Sequence, residues 1–467
     1  MTQARGFTSI KNRDQAEAFL DERIGHGVRP GLERIKGLLE FMDSPQHTYP
    51  SIHIAGTNGK TTVSRMVQQI LGAHGLATGG FTSPHLHTVE ERFSLHGVVL
   101  DPQDFTDAVA DIAWFVEAYE QQSGASVTYF EVTAALAFSI FSTAAVDVAV
   151  VEVGLGGRLD ATNVLDSSVA VITGIDIDHT ELLGFTTATI AGEKVGILHS
   201  GGTLVSGPLP SDAAEVIGER VAQTSSNWIR FGPDFSVEDA VVAVGGWHTS
   251  IGGIFGRYED LYLPLHGYHQ VEHIATSIAT AEMFLGRGLD RDSLEAAVAS
   301  MTSPGRLEVA GRRPLVLLDG AHNVQGFRGL AATLTSEFPA IEWQLVLGVR
   351  GDRDVGELVA PLRGHVGRIF ATASDDPEAI GPHAVASAAS EALGVEATTS
   401  DSPREAFEQA LTAAGAEGGV VVAGSLYLVG ELRAPSLSGT DRSGEAHVRF
   451  EAERLRHDED HDEDWSL

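Results

Sequence analysis

Apolar positions along this chain fall into two successive series of strand-like and helix-like segments. Residues 50–56 (PSIHIAG) form a short apolar run ending in glycine, and 61–74 (TTVSRMVQQILGAH) place apolar side chains at helical spacing, which predicts a strand–loop–helix unit. Runs at 146–153 (VDVAVVEV) and 168–173 (SVAVIT) predict further strands, with helices at 104–120, 130–143 and 187–199 between and after them. Strands that are apolar almost throughout and alternate with helices predict a parallel sheet covered on both faces. After the linker-like segment 300–305 (SMTSPG) a second series begins, with strands at 314–318, 343–348, 368–372 and 419–423 separated by helical segments at 324–337, 382–393 and 404–414. This predicts a second α/β domain of about 130 residues. The expected organisation is a first domain over 1–303, a second over 304–435, and a polar, acidic tail over 436–467 that is expected to be disordered. His457 and His461, interleaved with aspartates in that tail, are a weak candidate for holding a divalent cation.

Composition narrows the chemistry. The 467 residues include no cysteine, which excludes a disulfide scaffold, a thiolate zinc site, an iron–sulfur cluster and a cysteine nucleophile. A net charge of -33 repels phosphate everywhere except at a local basic site, so neither nucleic acid nor an anionic membrane is expected as a partner. The first residues lack the apolar core of a signal peptide and no apolar run approaches a membrane span, so the cytoplasm is the expected location. Lysine occurs only at Lys11, Lys36, Lys60 and Lys194 among the 31 basic residues, and two of these four lie inside motifs.

The strongest local signal is Gly56-Thr57-Asn58-Gly59-Lys60-Thr61-Thr62, between a predicted strand and a predicted helix. It ends like a P-loop, in Gly-Lys-Thr, but Ile54 stands where the strict pattern has glycine, so it is a shortened variant. Glycines there let backbone N–H groups approach phosphate oxygens, the helix N-terminus offers its positive end, Lys60 reaches the outer phosphates and Thr61 is suited to ligate magnesium. Glu152 ends an apolar strand, where a carboxylate is costly to bury without a partner. It suits a magnesium ligand in the crevice at the strand ends, or else an ion pair with Arg158. His179, in Asp176-Ile177-Asp178-His179, follows at a distance that suits a neighbouring strand end. Lys194 lies on a predicted helix, where a salt bridge to Glu152 or an aspartate is the plainest expectation. In the second domain polar clusters follow three strands: Asp319-Gly320-Ala321-His322-Asn323, Arg350-Gly351-Asp352-Arg353-Asp354 and Gly424-Ser425-Leu426-Tyr427, with Arg306 at the linker. Three such clusters predict an active site in the cleft between the domains.

Together these strings resemble the folylpolyglutamate synthase and dihydrofolate synthase family within the Mur ligase superfamily, over most of the chain. They include GTNGK at 56–60, FTSPHL at 81–86, EVGLGGRLDATN at 152–163, LDGAHN at 318–323 and GSLYLVGE at 424–431. The resemblance implies a two-domain Mur-ligase-like α/β architecture, with an N-terminal P-loop ATPase domain and a smaller Rossmann-like C-terminal domain. It implies an ATP-dependent ligase in which the γ-phosphate moves to a carboxylate and the amine of L-glutamate displaces phosphate from the acyl phosphate. Dihydropteroate and reduced folates are the implied acceptors, and LDATN is the form associated with bifunctional members. By the same resemblance Ser83 and Glu152 hold one magnesium, to which the loop chemistry adds Thr61, while Glu152, His179 and Lys194 hold a second, Lys194 being carbamylated. Lys60, Lys194, His179, Arg306, Asp319 and His322 are the expected catalytic groups. Residues 56–62 with Gln270, His273, Arg306 and Asp319 are expected to contact ATP. Ser83, His85, Phe130, Asp160 and Ala161 are expected at the pteridine–aminobenzoate part, and His322, Asn323 and Ser425 on the glutamate side. A potassium ion and a monomeric state complete the expectations.

Three strings depart from the family pattern. The loop reads GKTT where many members have GKGS, which points towards a Mur-type ligase for another acidic metabolite. Gln270 is followed by Val271, Glu272 and His273, whereas the family has asparagine at the last position, and a histidine lacks an amide's paired donor and acceptor. The family's DKD becomes Asp352-Arg353-Asp354. A nucleotide-binding switch that lost ligation is the non-enzymatic alternative, but it predicts damage at Glu152, His179, Lys194 or 319–322, and all are intact.

Overall fold

The computed structural model describes residues 8–27, 29–351 and 353–433. Asp352 and the 436–467 tail with His457 and His461 lie outside the described residues. The chain divides into two compact units, the first ending at Ser303 and the second beginning at Pro304.

In the first unit β1 (Ser51–Ala55), β2 (Thr78–Phe81), β3 (Phe93–Leu95), β4 (Val98–Val99), β5 (Val148–Glu152), β6 (Val169–Ile172), β7 (Thr203–Ser206) and β8 (Asn227–Arg230) form one sheet. Its order is β4-β3-β2-β5-β1-β6-β7-β8, with only β3 running against the others. Every residue of β1, β2, β5 and β6 is buried, as expected for strands covered on both faces. Alternate residues of β5 feed different cores. Ala149 and Val151 pack with Phe138 and Phe141, while Val148 and Val150 pack with Met66 and Ile70 of the helix Lys60–Ala73.

This order places the site. From β1 the chain runs to β2, beyond β5 on one side, whereas β6 lies on the other side of β1. Loops leaving strands at such a switch point part and open a crevice at the carboxyl ends. β5 and β6 are therefore not neighbours, contrary to the spacing expected for Glu152 and His179. β1 separates them by two strand spacings, about 10 Å.

An element that periodicity did not reveal follows. β9 (Ser236–Ala243), β10 (Gly246–Gly252) and β11 (Arg257–Leu263) form an antiparallel sheet, succeeded by helices Tyr268–Leu285 and Arg291–Ala299. Val241, Val242 and Val244 are exposed there, so apolar positions do not track burial. The turn between β10 and β11 is fastened by buried Glu282, which accepts from the Ile254 amide (2.6 Å), the Phe255 amide (3.1 Å) and the Tyr258 hydroxyl (2.7 Å).

The second unit contains β12 (Glu308–Arg312), β13 (Leu315–Leu318), β14 (Trp343–Leu347), β15 (Val366–Ala371), β16 (Glu396–Thr399) and β17 (Gly419–Ala423). The order is β12-β13-β17-β14-β15-β16, with only β12 antiparallel. Because β17 inserts between β13 and β14, the ends of these three strands, followed by Asp319, Gly424 and Gly348, stand side by side. The strands and helices predicted from periodicity are present with ends shifted by a few residues. The 187–199 helix, however, gives way after Lys194 to a 3-10 turn, Val195–Ile197. Among the described residues no helix is long and apolar enough to cross a membrane.

Glu282→Ala would leave the buried Tyr258 hydroxyl and two part-buried amides without this acceptor, an expected loss of ~2 kcal/mol in urea denaturation, with Glu282→Gln falling between. A loss below ~1 kcal/mol would show that the turn is held by other contacts.

Candidate active site

The loop after β1 is pulled tight. Gly56 has φ 155°, and a Cβ there would lie 1.9 Å from Thr173 Oγ1. Thr173 in turn donates to the Asn58 carbonyl (2.6 Å), and the Thr57 amide donates to the Gly174 carbonyl (2.9 Å). The Thr57 hydroxyl donates to Asp176 O and accepts from Asp176 N, both at 3.0 Å, so the loop after β6 straps the phosphate loop in place. Gly59 caps the helix Lys60–Ala73, and Lys60 Nζ folds back to the carbonyls of Gly56 (3.1 Å) and Thr57 (3.2 Å). The Thr62 hydroxyl is buried against Ser303 Oγ at 3.0 Å, so its side chain anchors the helix and only its backbone amide is left for the expected contact with ATP.

Glu152, 1% exposed, is met by the Thr61 hydroxyl at 3.0 and 2.9 Å and by the Ser83 amide at 3.2 Å. The sheet register that sets Ile54 opposite Glu152 brings the phosphate loop to this carboxylate. Arg158 pairs instead with Glu193, Nη2 to Oε1 at 2.8 Å, which removes the expected alternative of a Glu152–Arg158 pair.

Lys194 also departs from the salt-bridge expectation. Its buried Nζ donates to the Gly56 carbonyl at 2.9 Å. Burial and nearby Lys60 push its pKa down to about 7, against the opposing pull of Asp178 and Asp160. The loop after β5 holds the lysine backbone from the other side. A Cβ on Gly157 would lie 2.8 Å from the carbonyls of Glu193 and Lys194, and Asn163 Nδ2 donates to the carbonyls of Arg158 (3.1 Å) and Gly196 (3.2 Å). His179 has φ 50° and a half-exposed ring, and its amide donates to Asp178 Oδ1 at 2.9 Å.

Of the residues expected at the acceptor, Phe130 lies directly over Gly154, where a Cβ would come within 2.4 Å of its ring, and packs on Phe81 at 5.8 Å. His85 accepts at Nδ1 from Arg92 Nε (3.0 Å), and Arg92 lies 5.2 Å over the Tyr129 ring. Ala161 is buried. Asp160 faces inward: it accepts from the Leu155 amide (2.8 Å), the Thr162 amide (3.0 Å) and the Thr162 hydroxyl, which itself bonds His53 Nε2 (2.8 Å). Its carboxylate therefore holds the 154–160 loop. Sequence reasoning missed Thr173, Arg92 and His53. Thr173 carried the same signal as Glu152, a polar residue at the end of an apolar strand.

In the second unit Arg306 Nη1 donates to the Gly320 carbonyl (3.2 Å), and His322 Nδ1 lies 2.7 Å from the same oxygen. Asp319 accepts from the Ala321 amide at 3.1 Å; burial pushes its pKa up to about 7, opposed by Arg306. The Gly424 amide donates to the Ala321 carbonyl (2.8 Å), joining the two turns. Asn323 and Ser425 cap helices through the amides of Gly326 (2.9 Å) and Tyr427 (3.1 Å).

Residues 54–281 match the Mur ligase middle domain and 305–426 the Mur ligase glutamate ligase domain. The chain is 39% identical over 464 residues to the dihydrofolate synthase/folylpolyglutamate synthase of Mycobacterium tuberculosis, covering 91% of this chain and 94% of the relative. The chain belongs to the folylpolyglutamate synthase and dihydrofolate synthase family of Mur ligases. Another member, from Escherichia coli, is 33% identical over 418 residues, covering 88% of this chain and 92% of its own. The structure of M. tuberculosis folylpolyglutamate synthase complexed with ADP superposes with a TM-score of 0.88 at 40% identity, covering 92% of this chain and 98% of that one. E. coli FolC in complex with DHPP and ADP gives 0.80 at 29%, covering 90% and 97%.

For a family that works on phosphates, the oxygen donors here suit magnesium: the Glu152 carboxylate and the Thr61 hydroxyl already converge, beside Ser83. Among the described residues no three histidine, aspartate or glutamate side chains cluster at metal-binding distance. A magnesium ion here would complete its shell with phosphate oxygens and water, as that ion commonly does.

The buried histidines make stability pH-dependent. Burial, with His199 nearby, pushes His53 down to about 3, and burial with Arg92 pushes His85 down to about 4. An unfolded histidine takes up its proton near pH 6.5, so below that pH the unfolded chain binds more protons and stability falls as pH drops towards 4. His53→Gln keeps a donor for Thr162 and should flatten that fall in urea denaturation at pH 7, 6 and 5. An unchanged slope would remove His53 as a cause.

Proposed function

We propose that this chain is an ATP-dependent ligase that joins the amine of L-glutamate to the carboxylate of dihydropteroate, and of reduced folates, with ADP and phosphate as products. The observation that carries it is the meeting of the phosphate-loop Thr61 hydroxyl with the buried Glu152 carboxylate. The acceptor carboxylate attacks the γ-phosphorus, forming an acyl phosphate and releasing ADP; the glutamate amine then attacks the acyl carbon, expelling phosphate and a proton. Lys60 neutralises charge on the transferring group. Magnesium, when bound at Glu152, Thr61 and Ser83, supplies further positive charge against the phosphate oxygens. A second ion would involve Glu152, His179 and Lys194. Lys194 fits carbamylation because its buried amine, pushed down to about 7, is held by a carbonyl and not by a carboxylate. The neutral amine adds carbon dioxide and loses a proton, leaving an anionic oxygen ligand.

In the second unit the Gly320 carbonyl 2.7 Å from His322 Nδ1 favours the tautomer protonated there, which puts a lone pair on Nε2, the form that accepts a proton from the amine. Dual acceptor use is supported by the names of the relatives and by the LDATN string at 159–163, which packs as one unit through Asp160, Thr162 and Asn163. The Mur-type alternative rested on GKTT alone, and the names of the relatives favour the folate acceptors.

The test is phosphate release from ATP with magnesium, potassium and glutamate, comparing dihydropteroate, a reduced folate monoglutamate and no acceptor. Release is expected only when acceptor and glutamate are both present. Acceptor-independent hydrolysis would contradict ligation, and silence with both acceptors would move the substrate to another acid. Lys194→Ala should lower kcat on the order of 100-fold without rescue by excess glutamate, since it would remove a metal ligand and not a substrate contact.

A further inference from the structure

His53 sits in β1, 0% exposed, with Val151 of β5 on one side and Ala170 of β6 on the other. Ile52 and Ile54 pack with Met66 and Ile70, so His53, alternating with them, points to the opposite face of the sheet, where Ala55 packs with Val195, Ile197 and Leu198. On that face its Nε2 lies 2.8 Å from Thr162 Oγ1, and Thr162 in turn donates to Asp160 Oδ1. A chain of contacts thus runs from the middle of the sheet into the loop after β5.

This chain of contacts has a direction. A hydroxyl carries one hydrogen, and that of Thr162 goes to the Asp160 carboxylate, which also accepts from the amides of Leu155 (2.8 Å) and Thr162 (3.0 Å). Thr162 Oγ1 can therefore meet His53 only as an acceptor, so the ring carries its hydrogen on Nε2 and a lone pair on Nδ1. Nδ1 is buried with no hydrogen-bond partner among the described residues, as is Nε2 of nearby His199. A proton on Nδ1 would make an imidazolium inside the sheet, which burial and His199 both oppose. His53 is thus held neutral and in one tautomer.

We propose that His53 is a positioning residue for the acceptor: its Nε2–H fixes the Thr162 hydroxyl on Asp160, and Asp160 sets the backbone of 154–161, the segment whose Asp160 and Ala161 are expected at the pteridine–aminobenzoate part. The proposal rests on the ligase function above and deepens it. Its effect falls on the acceptor and not on the nucleotide. Phe130 lies over Gly154 in this segment, whereas the phosphate loop is strapped separately through Thr173 and Asp176. Of the two amide side chains, glutamine reaches as far as Nε2 and can donate to Thr162, while asparagine ends at the position of Nδ1 and falls short of it.

The experiment measures acceptor-dependent phosphate release for the wild type, His53→Gln and His53→Asn, together with the ring tautomer in wild-type protein carrying isotope-labelled histidine. His53→Asn should raise the acceptor KM about tenfold with the KM for ATP within about twofold, and His53→Gln should stay within about twofold of the wild type in both. In the nitrogen–proton NMR spectrum of the wild type, the ring signal that His53→Gln removes should show hydrogen on Nε2 and none on Nδ1 at pH 7. Hydrogen on Nδ1 would overturn the proposal, because the chain of hydrogen bonds would then run the other way. So would equal effects of the two substitutions on the acceptor KM, or a rise in the KM for ATP as large as that for the acceptor. If the wild type released no phosphate with any acceptor, the ligase function itself would fail and this role with it, an outcome distinct from a working ligase whose acceptor KM ignores His53→Asn.

Discussion

A carboxylate buried at the end of a central parallel strand is tolerated only if donors reach it, and around Glu152 those donors come from the segments that follow β1 and β2. The Thr61 hydroxyl meets both its oxygens, and the Ser83 amide meets one. Three separate stretches of chain, the loop after β1, the end of β5 and the loop after β2, are thereby fixed relative to one another. The parallel pairing of β1 with β5 makes this possible, because it aligns Ile54 with Glu152 and leaves the next turn of each strand on the same side.

Around that centre the chain spends its small and polar residues on holding loops. Thr173 and Asp176 tether the phosphate loop, while Gly157 and Asn163 press the 154–163 segment onto the backbone of Lys194. Asp160, through Thr162, connects this segment to His53 inside the sheet. The lysine is thus enclosed by backbone, which accounts for an amine whose charge is weakly supported. Such rigidity serves acyl-phosphate chemistry, in which the reacting groups must be placed before water competes.

Much of this was legible in the sequence. Apolar runs long enough to be strands, the glycines and lysine of 56–60, and the lone carboxylate ending VDVAVVEV each have a local physical cause, and each appears where expected. Three features are decided by packing between distant segments and carry no local mark. β1 lies between β5 and β6, so Glu152 and His179 do not end adjacent strands. Lys194 finds a backbone carbonyl, which no side-chain pattern announces. Asp160 turns inward to amides of its own loop, where sequence alone cannot tell a loop-holding carboxylate from a substrate contact. The antiparallel β9–β11 sheet was missed for another reason, since its exposed valines break the relation between apolar pattern and burial.

The most direct test of the central role of Glu152 is the magnesium dependence of binding of a non-hydrolysable ATP analogue, measured by calorimetry for the wild type and Glu152→Gln. The wild type should bind at least about tenfold more tightly with magnesium than without it, and Glu152→Gln should lose that difference while keeping its magnesium-free affinity. An equal magnesium effect in both proteins would contradict the account and leave the Thr61–Glu152 contact with a structural role alone.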